Sequence, residues 1–354
     1  MKILFLPKYN EAGASSRYRT HQFLPYFRER GFQCDVLPFF DEKHISDINQ
    51  SKRSTKISYI EAIFGRISLI YKAGKYDLLF IEKELIPYFP PIIENLLLRQ
   101  KVKYILDFDD AIFHNYDLHK SSLVRTFLGS KVPNIVSNAS AIVTGSNYLY
   151  QFCKQYNANV YLIPTVVNLD KYPIKKDKAA AKVVGWIGSF YTSDYLKVTF
   201  EALERVLPEQ EALLNLIGFN RASLPAVLKP YTNVISWNQQ NEVEEIRKFA
   251  VGISPLIDSP FARGKCAFKS IQYMACGKPV VTSPVGANGE LVKHKQNGFH
   301  ANTSNDWYKY LSMLLNDSAL ASAIGEKNRK AVEDHYSLQH VLERYLTIFE
   351  NSLN

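Results

Sequence analysis

Short apolar runs alternate with helical segments from one end of the chain to the other. "KILFL" leads into a helix around residues 18–30, followed by "QCDVLPF" and a helix over residues 58–72. Next come "YDLLFIEK", a helix near residues 91–99, "KYILDFDD", a helix near Leu123, "SAIVTGS", a helix from Asn147 and "VYLIPT". A polar, lysine-rich stretch, "DKYPIKKDKAAAK" at residues 170–182, breaks the pattern and reads as a linker. The alternation then resumes with "VVGWIGS", a helix from Thr192, "LLNLIGF", a helix near Leu224, "NVISW", a helix from Glu242, "VGISPL" and "PVVTSPV". Three helical stretches from Asn305, Ala319 and Ser337 close the chain. Strand–helix alternation of this kind predicts mainly parallel sheets with helices on both faces. Its restart after the linker predicts an α/β protein of two doubly wound, Rossmann-like domains facing each other across a cleft. The first would span residues 1–168 and the second 169–336, with a C-terminal helix at 337–354 returning to the first. Ligands in such sheets sit at the carboxyl ends of the strands, so the residues just after each run are the ones to read for chemistry.

At 354 residues, two domains can each bury a core, and 46% apolar with 22% charged residues is a soluble globular composition. The charge narrows the partners. Of the net +9, about six lie in residues 1–168, which carry 21 Lys and Arg against 15 Asp and Glu. An excess of that sign suits an acidic substrate, an anionic membrane surface or nucleic acid. With no Arg/Lys-rich block, RNP-like aromatic motif or helix-turn-helix pattern, nucleic acid is the poorest fit. The four cysteines have neither CxxC nor Cys/His ligand spacing, which argues against a disulfide framework or a zinc site and for a reducing cytoplasm. "MKILFLPKYN" is too short an apolar run for a signal peptide and reads as a first strand, and no stretch is long enough to span a membrane.

Four constellations follow strands. "NEAGASSRYR" offers Gly13, Ser15 and Ser16 in a small loop opening a helix, with Arg17 and Arg19 behind it. Such a loop suits an anion or a sugar, and equally a serine helix cap. "YILDFDDAIFH" sets Asp107, Asp109 and Asp110 at a strand end, as catalytic or sugar-binding carboxylates, as a DxD metal site, or with Asp110 as a simple cap. "GWIGSFYTSDY" puts Gly188 and Ser189 before a hydroxyl-rich helix start, which suits phosphate oxygens or plain capping. In "RGKCAFKSIQYMACGKPVV", Lys265, Lys269 and Gln272 share one face if the segment is a single helix. Arg263, Gly264, Lys265 and Lys269 at a positive helix start would bind a diphosphate. Gln272 would reach a ribose hydroxyl, and a solvated basic face is the plainer alternative.

Taken in order, "SSRYRTHQFLPYF", "YILDFDDAIF", "IVTGSNYL", "VYLIPTVVNLDKY", "GWIGS" and "RGKCAFKSIQYMACGKPVVTSPVGANGELV" resemble the retaining glycosyltransferases of family 4, of GT-B architecture. The resemblance implies transfer of a sugar from a nucleotide diphosphate sugar, with retention and without a metal or other cofactor, to a glycan or lipid-linked acceptor. That family carries two glutamates eight positions apart in the last segment. Here Gly264 and Gln272 stand in those places, so both carboxylates are missing. The family's Arg–Lys pair is also absent after "GWIGS", and the resemblance makes Arg263 and Lys265 its substitutes. A two-lobed sugar-binding protein, a GT-B epimerase using His21, His114 or His300, and a degenerate enzyme that binds without catalysis are the other readings.

The expected place of work is the cytoplasm, with surface polysaccharide or glycolipid as product. "ISYIEAIFGRISLIYKAGK" has Ile60, Ile63, Phe64, Ile67 and Ile70 or Tyr71 among Lys56, Arg66, Lys72 and Lys75. That amphipathic helix either packs on the first sheet or rests on the inner face of an anionic plasma membrane.

Overall fold

The computed structural model describes residues 1–40, 56–174 and 182–353; most of the predicted linker lies outside them. The chain forms two compact units. The first comprises Met1–Thr165, Arg263–Cys266 and Val341–Asn354, the second Val166–Ala262 and Ala267–His340. Each unit contains one six-stranded sheet, and every strand pairing within it is parallel.

The strands of the first unit are β1 (Lys2–Leu6), β2 (Gln33–Val36), β3 (Leu78–Glu82), β4 (Tyr104–Phe108), β5 (Ala141–Thr144) and β6 (Val160–Leu162). They lie in the order β2-β1-β3-β4-β5-β6, so the winding reverses between β1 and β3. Every residue of β3, β4 and β5 is buried. This is why they read as continuous apolar runs rather than as alternating ones: a parallel sheet is covered on both faces. One cover is aromatic. Phe27 stacks on Phe5 at 5.8 Å between ring centroids, while Tyr345 and Phe349 from the helix Leu338–Asn351 close on Phe23 (4.8 Å) and Phe27 (5.1 Å).

The second unit holds β7 (Val183–Ile187), β8 (Leu213–Ile217), β9 (Thr232–Ile235), β10 (Val251–Ser254), β11 (Val280–Thr282) and β12 (Phe299–His300). Their order, β12-β11-β10-β7-β8-β9, reverses between β7 and β10. β12 has only two residues, too few for an apolar run to reveal. Near Leu224 the expected helix is replaced by two short 3-10 turns, Arg221–Ser223 and Ala226–Tyr231. Pro225 and Pro230 lack the N–H groups that a regular helix there would need.

Candidate active site

The reversal points select where to look, because the loops leaving the two central strands diverge there and open a crevice at the carboxyl edge. In the first unit, the loop and helix after β1 meet the ends of β3 and β4. Gly13 immediately precedes the helix Ala14–Arg19, which places Ser15 and Ser16 within its first turn, and no side chain caps it. Ser16 Oγ accepts the Tyr9 N–H at 2.9 Å, and Arg17 Nη1 donates to the Glu11 carbonyl at 3.2 Å. Ser15 Oγ lies within hydrogen-bonding reach of Glu82 Oε1 (2.9 Å) and of Asp109 Oδ2.

The three aspartates divide. Asp107 is fully buried and grips Arg19, whose Nε and Nη2 donate to its two oxygens at 2.9 and 2.5 Å. Arg19 Nη1 also donates to the Ile163 carbonyl at 2.9 Å, so this pair ties the helix after β1 to β4 and to the end of β6. Burial opposes the charge on Arg19, yet Asp107 more than compensates and holds the guanidinium pKa well above its ordinary value. Asp109 and Asp110 lie further out and share Lys83 at 2.8 and 3.1 Å, with Lys265 at 3.4 Å from Asp110. Burial works against the Asp110 carboxylate, but Lys265 and Lys83 outweigh it and hold its pKa well below the ordinary value. Asp110 is thus ion-paired through its side chain, and the turn after it, Ile112–Asn115, has no side-chain cap. Among the described residues, no group of three or more His, Cys, Asp or Glu side chains could hold a metal ion.

Glu82 and Lys83, which the sequence reading passed over, sit at the centre of this cluster. Their signal was available: both end the apolar run "YDLLFIEK", on the strand that flanks the reversal.

In the second unit, Gly188 and Ser189 follow β7. A Cβ on Gly188 would stand 2.3 Å from the Trp186 ring, so only glycine lets the chain pass there. The hydroxyls cap: Ser189 and Thr192 form a capping box on the 3-10 helix Phe190–Thr199, with the Ser189 N–H donating to Thr192 Oγ1 at 3.0 Å. Lys269 Nζ lies over the same Trp186 ring, 4.6 Å from its centroid. Gln272 is buried, and its Nε2 donates to the Tyr172 hydroxyl at 3.2 Å.

The single helix expected over residues 265–272 is not formed. The helix is Phe268–Ala275, and Ala267 before it has a left-handed φ of 55°. Lys265 therefore lies off the helix that carries Lys269 and Gln272, and it belongs with Arg263, Gly264 and Cys266 to the first unit. The anchor is close packing. A Cβ on Gly264 would lie 2.5 Å from the Ala111 Cβ and 2.9 Å from its backbone nitrogen, while the Cys266 thiol donates to the Asp109 carbonyl at 3.1 Å. Where the resembled family has a glutamate, this chain has no room for any side chain.

Two further expectations meet the structure differently. Arg66, read from sequence as a basic flank of a membrane-facing helix, is 1% exposed and donates to the carbonyls of Leu37 and Pro7, both at 2.9 Å. The three histidines weighed for epimerase chemistry have structural contacts: His21 with the Tyr9 carbonyl, His114 with Asp117 and Tyr148, and His300 with the Val292 carbonyl.

Two Rossmann-like units in one chain, with hydroxyl, carboxylate and basic groups at the reversal of the first sheet and hydroxyl and basic groups at that of the second, have the GT-B architecture found in glycosyltransferases. The family described as "Glycosyl transferases group 1" matches residues 181–317. A putative glycosyltransferase of Bacillus subtilis (strain 168), YtcC, is 30% identical over 367 residues, covering 90% of this chain and 86% of the relative. The chain belongs to the glycosyltransferases, with a group 1 domain at residues 181–317. Its fold is that of Anabaena HepE, whose crystal structure holds UDP (TM-score 0.74, 16% identity, 99% of this chain and 100% of that one). Sucrose-phosphate synthase from Thermosynechococcus elongatus (0.73, 16%, 99% and 98%) and WaaG, a glycosyltransferase involved in lipopolysaccharide biosynthesis (0.69, 14%, 98% and 99%), share it too.

Proposed function

We propose that this glycosyltransferase is a retaining, metal-independent enzyme of family 4 that moves a hexose from a nucleotide diphosphate sugar, of the UDP type, to a glycan or lipid-linked acceptor. The observation that carries the reading is Lys269, a basic side chain poised over Trp186 beside the Gly188–Ser189 turn at the reversal of the second sheet. In this reading Lys269, with Arg263, Gly264 and Lys265 and the Gly188–Ser189 turn, receives the diphosphate, and Gln272 serves the ribose. Fixed positive charge stabilises the leaving diphosphate as its own charge develops, which is the task a metal performs elsewhere. HepE has been crystallised with UDP-glucose, which supports a donor of that kind here.

The first unit takes the acceptor, at residues 1–168 in the sequence-defined boundaries. Asp109 and Asp110 would accept hydrogen bonds from its hydroxyls, Gly13 to Arg17 would form the adjoining loop, and the Arg19–Asp107 pair would hold the framework. With no nucleophilic carboxylate in prospect, the diphosphate oxygen would take the acceptor proton on the same face. The product would be a surface polysaccharide or glycolipid, made in the cytoplasm. Peripheral contact with an anionic membrane would use Ile60, Phe64 and Tyr71, which are 50, 66 and 84% exposed, with the exposed Lys72 and Lys75.

The test is transfer from a panel of nucleotide sugars, followed by NMR of the new anomeric centre, with and without EDTA. The expected result is a product with the donor's configuration at an unchanged rate. Inverted product or activity restored only by magnesium would overturn the corresponding part.

A further inference from the structure

The cluster at the reversal of the first sheet has a proton-counting problem. Ser15 Oγ is within hydrogen-bonding reach of two carboxylates, those of Glu82 (2.9 Å) and Asp109. A hydroxyl has one proton to donate. If both carboxyls were ionised, one of them would face a serine lone pair across a hydrogen-bonding distance with nothing between. A second proton in the chain Glu82–Ser15–Asp109 removes that repulsion.

The surroundings say where it sits. Asp109 has the Lys83 ammonium 2.8 Å away and is partly exposed. Glu82 is 1% exposed and, among the described residues, forms no salt bridge. The groups facing it are the Lys8 N–H and the Ser15 and Ser16 hydroxyls from the β1 side, and Lys83 beside it on its own strand. Asp107 and Asp109 face it from β4, and Arg66 from the helix Lys56–Ile67. Arg66 is already held by two backbone carbonyls, and Asp107 by Arg19. Lys83 and Lys265 pair directly with Asp109 and Asp110. Burying an ionised Glu82 without a direct ion-pair partner of its own is costly.

We infer that Glu82 is held as the neutral carboxylic acid and donates to the Ser15 hydroxyl, which in turn is made to donate to Asp109. Glu82 is thus a positioning residue for the carboxylate that meets the acceptor, and this role rests on the acceptor-side reading of Asp109. Burial is also the main influence raising the Glu82 pKa above its ordinary 4.5, against the pull of Lys83 and the Ser16 hydroxyl. A raised folded-state pKa means that the native protein keeps a proton the unfolded chain has released. The contribution of Glu82 to stability is therefore present below about pH 4.5 and is lost as pH rises towards the folded value.

The proton itself can be seen without any substrate. The infrared difference spectrum of wild type minus Glu82→Gln at pH 7 should contain the carbonyl stretch of a protonated carboxylic acid. Ser15→Ala, which removes the acceptor of its hydrogen bond, should shift that band. Across the pH range above 4.5 the folding constant of the wild type should fall relative to Glu82→Gln by up to about tenfold per pH unit. The turnover profile of Glu82→Gln should lack the wild type's decline at alkaline pH. A difference spectrum with only carboxylate bands, or a band unmoved in Ser15→Ala, would overturn the assignment. If the band is found and shifts while the turnover profiles coincide, the proton stands and the role for Asp109 falls.

Discussion

Replacing Arg19 by methionine tests how the first unit holds its carboxylates. Arg19 and Asp107 have 1% and 0% of their side chains exposed, and both guanidinium–carboxylate bonds are direct. Methionine fills much of the arginine stem's volume but leaves Asp107 buried without a counter-charge. Removing one partner of a buried pair typically costs about 3–5 kcal/mol. The Ile163 carbonyl loses its guanidinium donor as well, which adds about 1 kcal/mol. Asp107→Leu should cost a similar amount by stranding the arginine. The double variant, Arg19→Met with Asp107→Leu, strands neither charge and should be far less destabilised than the sum of the singles, by at least about 2 kcal/mol. Urea unfolding of the full chain at pH 7, followed by circular dichroism, gives the four stabilities. Single-variant losses below about 1 kcal/mol, or costs that simply add, would refute the view that this pair is a desolvated brace.

Gly264→Glu, which reinstates the carboxylate of the resembled family, should destabilise the first unit, because the Ala111 backbone occupies the space of its Cβ; a soluble variant with wild-type melting temperature would contradict this. Phe349→Ala removes a fully buried ring packed on Phe27 and Phe5, and should cost about 3–5 kcal/mol in the same urea experiment. Flotation with anionic liposomes at low salt should be weakened by Lys72→Glu with Lys75→Glu. Arg66→Glu should instead impair folding, since its guanidinium is buried; equal flotation with zwitterionic vesicles would remove the membrane from the account.

The strands were legible because a parallel sheet buried on both faces writes itself as runs such as "KILFL" and "YILDF". What surrounds their ends was less so. The spacing of Lys265, Lys269 and Gln272 matched one helical face, but the left-handed Ala267 separates the first from the other two. No periodicity reveals a residue that leaves the helical region because its neighbour Cys266 is drawn against Asp109. Asp107, Asp109 and Asp110 look alike in sequence, and only the partners brought by other strands divide a buried brace from two outer carboxylates. Glu82 and Lys83 gain their meaning from strand order, since β3 lies at the reversal only once it is known to pair with β1.

The most direct measurement of the central claim is calorimetric titration of the wild type and Lys269→Ala with UDP and with other nucleoside diphosphates. At least one of them should bind the wild type, and Lys269→Ala should bind it about ten- to a hundredfold more weakly while melting at the same temperature. That ratio is what the loss of a charge-assisted contact of roughly 1.5–3 kcal/mol gives. Equal affinity in the two proteins, or no nucleoside diphosphate bound by either, would contradict it.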